Sequence, residues 1–274
     1  MGFADWVFVL YALGSIGSIL GLFPRWSVLR KPAAYCIGAG FAVHTLAVAS
    51  MFFFSDISQF NRGELLQIMA WSLVFVYCVA WWRLRVAFLG IAAGPLALLI
   101  FFSAAAAGNV DANLPESMTG AFFVLHLGVL FLNFALISLG FGSALFFLSL
   151  HKKLKSKKAL PDVKGGAPAL TTVERINTFV VVAGFPLFTI GLLTGFAWAY
   201  LARGAVFTSD PKEVASVLLW LFYAFIFLQR AVFGWQGRKG ALMLVALFAA
   251  TLCSVLGVNF FMDSHHNFFQ TPMF

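Results

Sequence analysis

Histidine is the residue type through which this sequence can do chemistry, because imidazole is the usual protein ligand of haem iron and of many transition metals. The chain contains five histidines. His126 follows Phe122-Phe123 near the start of a long apolar run, and His265-His266 stand just past the end of the last such run. His44 lies midway through an apolar run. An ionisable side chain is energetically costly there, so we treat His44 as a candidate functional residue. His151 opens a lysine cluster and is expected to be a solvated flanking residue.

Each candidate ligand also has an ordinary structural explanation. His44 can hydrogen-bond across helices to a Ser, an Asn or a backbone carbonyl, and His126 can be boundary packing beside its phenylalanines. Adjacent side chains on a helix point about 100° apart, so His265 and His266 are not both expected to face one metal. One of the two is therefore expected to be a bystander.

The composition decides which elements must position these side chains. The chain is 62% hydrophobic, 17% aromatic and 10% charged, which is typical of a polytopic membrane protein. Apolar runs long enough to cross roughly 30 Å of hydrocarbon recur along it. We predict an all-α helical bundle in one membrane domain, 1–274, with eight transmembrane helices near 4–22, 33–54, 65–82, 86–107, 119–150, 176–202, 214–233 and 241–262.

The basic residues predict the orientation, because Lys and Arg next to a span are retained in the cytoplasm. All but three of the 18 Lys and Arg residues fall in one set of connections, and the other set holds Arg62, Arg203 and Lys212. Both termini and the 195–213 connection are therefore expected outside the cytoplasm, on the same face as His126, His265 and His266. The net charge of +8 is a topology signal, favourable to anionic lipid, and gives no reason to expect a nucleic-acid partner.

The connection between the sixth and seventh runs is short and rich in motif residues. It passes Trp198 and reaches Asp210-Pro211-Lys212-Glu213. This tetrapeptide has the form of a helix start, with Asp as N-cap, Pro at the first position and Glu closing a capping box. The aromatic residues around it are typical of a membrane-interface belt: Trp198, Tyr200, Phe207 and Trp220.

The cysteines limit the chemistry further. Cys36, Cys78 and Cys253 are single residues within predicted spans, with neither a Cys-x-x-Cys pair nor a Cys-x-x-Cys-His motif. We interpret them as packing residues, which argues against a thiol-disulfide relay and against haem covalently attached to this chain.

In combination these features resemble the CcsA family of cytochrome c assembly proteins, most specifically over residues 119–274. That family has a tryptophan-rich outer loop flanked by two external histidines that ligate haem. The matching residues are Gly184-Phe185-Pro186-Leu187, Gly191 through Gly195, Trp198, Gly204, Asp210-Pro211-Lys212-Glu213, Trp220, Tyr223 and Gly234-Trp235-Gln236-Gly237-Arg238.

The resemblance implies a haem site on the outer side of a bacterial cytoplasmic membrane. His126 and either His265 or His266 would be the axial ligands of a non-covalent, b-type haem. Trp198 and Asp210 match the loop motif, and His44 looks like the family's intramembrane histidine. Arg203 stands where the family has a tryptophan, and either pairs with a haem propionate or anchors the chain at the interface.

The chain also departs from the family pattern. Arg203, Phe207 and Ser209 replace loop tryptophans, and Gln229 stands where a second intramembrane histidine is expected. This thinning resembles the HemX-like branch of the same superfamily, which is associated with control of the glutamyl-tRNA reductase level.

We therefore expect haem delivery in cytochrome c maturation, beside a second assembly membrane protein and apocytochrome c. The alternatives are a HemX-like regulator of haem synthesis and a structural subunit of a membrane complex. Since no nucleophile-base or carboxylate pair stands out in the spans, catalysis by this chain alone is not expected.

Overall fold

Eight long helices account for most of the described chain. The structure, a computed structural model, describes residues 2–107, 120–156 and 169–261. Its helices are α1 (Phe3–Leu20), α2 (Arg30–Phe54), α3 (Arg62–Leu84), α4 (Gly90–Ala107), α5 (Gly120–Lys155), α6 (Leu170–Arg203), α7 (Pro211–Ala231) and α8 (Gly237–Phe261).

All eight are long and apolar enough to cross a membrane, which confirms the predicted all-α membrane bundle. Short 3-10 turns precede three of them: Pro24–Leu29, Ile57–Gln59 and Ala87–Leu89.

Two helices extend further past one predicted boundary than the others do. The predicted fifth span ends at 150, whereas α5 continues to Lys155, and the predicted sixth span begins at 176, whereas α6 begins at Leu170. At 1.5 Å per residue, the 36 residues of α5 are about 54 Å long, well beyond the hydrocarbon thickness. Polar turns of α5 and α6 therefore extend past the apolar region at one end of the bundle.

Because the helices alternate in direction, the bundle has two chemically distinct ends. We call one the basic end, where Arg30, Arg83, Lys152, Arg230 and Lys239 lie at helix termini. We call the other the His126 end, where α5 and α7 begin and α6 finishes.

Side-chain caps define the starts of two helices at the His126 end. The Asn61 side chain accepts a hydrogen bond from the Glu64 N–H, and the Glu64 carboxylate accepts one from the Asn61 N–H, both at 2.8 Å. This reciprocal box satisfies backbone donors that the first turn of α3 leaves unpaired. Asp210 caps α7 by accepting a 2.9 Å hydrogen bond from the Lys212 N–H.

The core is continuous across the bundle and is centred on α5, which packs against α3, α4, α6 and α8. Three tyrosines are fully buried in it: Tyr11, Tyr77 and Tyr223. Tyr223 places its hydroxyl within 3.0 Å of the Val180 carbonyl oxygen, so the hydroxyl donates a hydrogen bond inside the apolar core.

Glycines bring α5 and α6 close together. A Cβ on Gly140 of α5 would stand 2.7 Å from Cγ1 of Val180, and a Cβ on Gly191 of α6 would stand 2.5 Å from Leu130. Real side chains do not tolerate such distances, so glycine is required for this helix spacing. Small residues at helix contacts are the usual means of association in a membrane, where lipid removes the hydrophobic driving force.

We expect Gly140→Ala to destabilise the bundle through overpacking against buried Val180. Gly38→Ala is the matched control, because its Cβ would lie an ordinary 3.6 Å from Trp81. Both substitutions gain the same helix propensity, so their difference in unfolding free energy isolates the clash, at about 1–3 kcal/mol. Denaturant unfolding in detergent micelles measures it. Equal stability of the two variants, or no recovery in Gly140→Ala/Val180→Ala, would contradict the packing argument.

Candidate functional site

His126 sits in an irregular turn near the start of α5. Residues Val124–Gly128 form a π-helical turn between the first turn, Gly120–Phe123, and the regular remainder, Val129–Lys155. Such turns are rare and are found frequently at functional sites. The sequence predicts a span here but gives no sign of the π turn, since no Pro or polar insertion marks it.

The His126 ring is held by α6. Its Nδ1 lies 2.8 Å from the Gly191 carbonyl oxygen, and because a carbonyl can only accept, Nδ1 carries the proton. The ring rests on Gly195, where a Cβ would stand 2.7 Å from Cε1. The Thr194 hydroxyl lies at the same junction, 2.8 Å from the Ile190 oxygen of its own helix and 3.1 Å from the Leu125 oxygen of α5, so its single proton is shared among nearby carbonyls.

This arrangement leaves Nε2 of His126 with its lone pair. Among the described residues Nε2 has no hydrogen-bond partner. Metal-ligating histidines typically donate one ring N–H to a carbonyl or carboxylate, which orients the ring and raises the basicity of the other nitrogen. His126 has this donor pattern, and Gly191 and Gly195 supply its support.

The kind of metal centre is limited by the neighbours. The described ranges contain no group of three or more His, Cys, Asp or Glu that could hold a bare metal ion. A haem iron needs only axial ligands from the protein, because the porphyrin supplies four nitrogens. A single imidazole such as His126 can therefore serve as one axial ligand of such a group.

An aromatic cluster lies at the same end of the bundle. Its buried members are Val48, Phe60, Leu65, Ile68 and Phe123, and Trp198 packs against them. Phe60 and Phe123 meet edge to face with ring centroids 5.7 Å apart. Trp198 follows Gly195 by one turn of α6, so the structure brings His126 and Trp198 to one junction of α5 and α6.

The loop from Gly204 to Asp210 uses its polar groups to start α7. Asp210 is the N-cap described above, and the Glu213 carboxylate accepts hydrogen bonds from the Thr208 N–H at 2.7 Å and the Thr208 hydroxyl at 3.1 Å. Asp210 thus has the N-cap role that the sequence predicts, whereas the predicted capping box is wrong, because Asp210 accepts from Lys212 and the Glu213 carboxylate is bound by Thr208. Lys212 lies near both Asp210 and Arg62, the first residue of α3, which the sequence does not single out.

Other aromatic residues of the expected belt occupy different positions. Tyr200 and Phe207 are exposed at the His126 end. Trp220, in contrast, lies well inside α7 and donates a 3.0 Å hydrogen bond to the Thr189 hydroxyl of α6. Trp220 therefore joins α6 and α7 within the bundle.

His44 lies apart from His126. It is fully buried on α2, its Nδ1 is 3.0 Å from the Tyr11 hydroxyl of α1, and Phe101 of α4 meets its ring edge to face at 5.3 Å. Its Nε2 is buried without a hydrogen-bond partner. His44 therefore makes a cross-helix hydrogen bond, the ordinary structural role considered for it above, although its partner is a tyrosine and not a Ser, an Asn or a carbonyl.

The remaining predicted site residues are only partly covered. His265, His266 and the side chain of Arg203 lie outside the described residues. His151 is half-buried and stacks on Phe147, with ring centroids 6.0 Å apart, so it is less solvated than expected. The sequence also did not reveal a buried ion pair of Arg230 with Glu174 at the basic end, because no spacing links residues on different helices.

Comparison with known proteins gives the family. The model of the cytochrome C assembly protein family matches residues 60–266. A cytochrome c biogenesis protein CcsA from Microcystis aeruginosa is 26% identical over 76% of this chain and 78% of its own length. The CcsA protein of Chlamydomonas reinhardtii is 28% identical over 76% of this chain and 60% of its own length. One from Prochlorococcus marinus is 30% identical over 58% of each.

The matched region includes the π turn with His126, the Trp198 junction and the Asp210 helix start. It also covers α5, α6 and α7 in full. The chain therefore belongs to the cytochrome c assembly protein family.

Proposed function

We propose that this multi-pass membrane protein holds haem at the His126 end for delivery during cytochrome c maturation. Family membership supports a role in that maturation. The observation that carries the finer proposal is the His126 side chain, whose Nδ1 is bound to Gly191 while Nε2 keeps a free lone pair. Haem bound here would be b-type and non-covalent, with His265 or His266 as the second axial ligand.

The surroundings of His126 suit an amphipathic porphyrin. Trp198 and the phenylalanines around it offer apolar and aromatic surface to the macrocycle. Lys212 and Arg62 lie in the first turns of α7 and α3 at this end of the bundle, where cations can pair with propionate carboxylates. Arg203 at the end of α6 is a third candidate for the same role, with an interfacial anchor as its alternative.

The cysteine content points to partners for the remaining chemistry. Cys36, Cys78 and Cys253 are free, and they lie on three different helices. Attachment of haem to a cytochrome c forms thioether bonds with reduced thiols of the apocytochrome. We therefore propose that apocytochrome c, presented by a second assembly membrane protein, meets this chain at the haem site. By the positive-inside rule, the basic end faces the cytoplasm of a bacterium and the haem site faces the periplasm.

His44 has a different place in this proposal. Tyr11 and Phe101 enclose it between α1, α2 and α4, whereas the haem junction belongs to α5 and α6. A ligand at His44 Nε2 would have to displace these rings. We therefore assign His44 to the joining of α1 and α2, not to the haem delivered at His126.

We expect His126→Ala to lose haem while keeping its fold. Haem content per protein, read from oxidised and reduced absorption spectra in mild detergent, should fall at least about tenfold. The double variant His265→Ala/His266→Ala should lose the bis-histidine spectrum as well. His151→Ala at the opposite end is the control and should keep it. Added imidazole should restore the spectrum of His126→Gly, which separates ligand loss from misfolding.

Full haem occupancy in His126→Ala would overturn the proposed site. If the wild-type chain neither contains haem nor takes it up, and a soluble enzyme of tetrapyrrole synthesis co-purifies with it, the HemX-like regulator is the better description. If haem and such an enzyme are both absent, a structural subunit is the better description.

Gly195→Ala tests the support of the histidine. The added methyl group would press on Cε1 of His126 and turn the ring from the Gly191 carbonyl, so haem affinity should fall roughly 10-fold, as expected for a group that orients a metal ligand. Gly128→Ala is the matched control, because its Cβ would make only ordinary contacts, with Val124 at 3.8 Å and the Phe123 oxygen at 4.0 Å. Titration of the apoprotein with haem gives both constants. Equal affinities would show that the Gly195 contact does not position the ring.

Tyr11→Phe tests the role assigned to His44. Loss of the hydroxyl removes one buried hydrogen bond, so the unfolding free energy in micelles should fall by about 0.5–1.5 kcal/mol. Haem content should stay at the wild-type level in Tyr11→Phe and in His44→Ala. A His44→Ala protein that folds but lacks haem would return His44 to the set of ligands.

A further inference from the structure

A cleft opens between α7 and α8 at the basic end, far from His126. It is a small cleft, half open to solvent, and it is lined by Ile226, Gln229 and Arg230 of α7, Trp235 of the connecting turn, and Gly240 and Met243 of α8. The haem proposal uses none of these residues.

Arg230 gives the cleft a buried cationic donor. Its side chain is 3% exposed, and its guanidinium is held by the Glu174 carboxylate and by the Thr178 hydroxyl, which lies 3.1 Å from Nε. Nη1 remains buried without a hydrogen-bond partner among the described residues. It lies against Gly240, where a Cβ would stand only 2.6 Å away. The absence of a side chain at Gly240 therefore leaves the room that Nη1 occupies, and both residues belong to the lining of the cleft.

Additional positive charge lies at the mouth of the cleft. Lys239 is exposed, and its ammonium stands over the Trp235 ring, 5.3 Å from the centroid. Arg238 is exposed beside it. Glu174 balances one charge on the Nη2 side of Arg230, so the mouth remains cationic and suits an anion.

The lining changes from polar to apolar along the membrane normal. Ile226 precedes Arg230 by about one turn of α7, and Met243 follows Lys239 by about one turn of α8, so both lie deeper in the bundle. Next to them α7 presents exposed apolar side chains, including Phe225 and Leu228. A ligand that fits this gradient has an anionic group at the level of Arg230 and a hydrocarbon tail below it.

We propose that this cleft binds the phosphate of an anionic phospholipid, with Arg230 Nη1 as the buried donor and Lys239 as the rim cation. The start of an acyl chain lies along Ile226 and Met243, and Trp235 covers the glycerol region, where aromatic rings favour the membrane interface. Basic clefts between helix ends are well suited to anionic headgroups. Inorganic phosphate offers the same oxygen chemistry but would not use the apolar half.

Native mass spectrometry of the detergent-purified chain with added phosphatidylglycerol tests this site. We expect one retained lipid per wild-type chain, and at least a fivefold lower retained fraction in Arg230→Gln/Glu174→Gln. That double variant neutralises both members of the buried pair, so neither charge is left without its partner. Lys239→Gln, on an exposed side chain, should lower retention as well and should not affect folding.

Arg83→Gln is the matched control, because Arg83 stands 5.7 Å over the Trp82 ring at the same end, as Lys239 does over Trp235. It should retain the lipid as the wild type does. Circular dichroism and thermal unfolding identify variants that do not fold, and in that case Lys239→Gln decides alone. Equal retention in Lys239→Gln, Arg83→Gln and wild type would overturn the proposal.

Competition with inorganic phosphate separates the two sources of the anion. Millimolar phosphate should leave the bound phosphatidylglycerol in place, because the acyl chain contributes to binding. If phosphate displaces the lipid at equal concentration, the cleft is a soluble-anion site and the lipid assignment is wrong.

Discussion

The close approach of α5 and α6 is the constraint on which the rest of the structure depends. Gly140, Gly191 and Gly195 allow the two helices to touch backbone to side chain, with Val180, Leu130 and His126 in the spaces that side chains would fill. In a bilayer this contact gains little from hydrophobic burial, so close packing has to supply the stability. The same close approach brings the Gly191 carbonyl oxygen within 2.8 Å of His126 Nδ1. The packing of α5 on α6 therefore both stabilises the bundle and orients the His126 ring.

Most polar groups of the bundle are hydrogen-bonded within the protein. Backbone groups inside a membrane must be satisfied within the protein, and helices achieve this for the main chain. Buried side chains then hydrogen-bond across helix pairs: Tyr223 to Val180, Trp220 to Thr189, and Tyr11 with His44. Within the described part of the chain, His44 Nε2 and Arg230 Nη1 are buried nitrogens without a hydrogen-bond partner. They differ in their surroundings, because aromatic rings enclose the first and a cleft faces the second.

Hydropathy predicted much of the fold, because crossing a membrane imposes length and polarity on each helix directly. All eight spans were predicted, and errors of a few residues arose where polar turns continue a helix, as at Leu170 and Lys155. The start of α7 was predicted in form, since Asp210 and Pro211 act locally. The π turn at His126, the Gly195 contact and the Arg230 cleft were not predicted. Each depends on which helices pack against one another, and a local sequence pattern does not specify the packing partners of a helix.

The thinned tryptophan motif fits this picture of the site. Asp210, Thr208 and Glu213 already hydrogen-bond one another or the backbone at the start of α7, so this part of the motif serves the fold whatever ligand is present. Trp198, by contrast, belongs to α6 and packs into the aromatic cluster with Phe123. A tryptophan on a helix is positioned by packing, whereas the aromatic residue of the loop, Phe207, is exposed. His126 is held by Gly191 and Gly195 of α6 and not by the loop. Replacement of loop tryptophans by Arg203, Phe207 and Ser209 therefore changes the residues that would cover the proposed haem site and leaves the support of the His126 ligand intact.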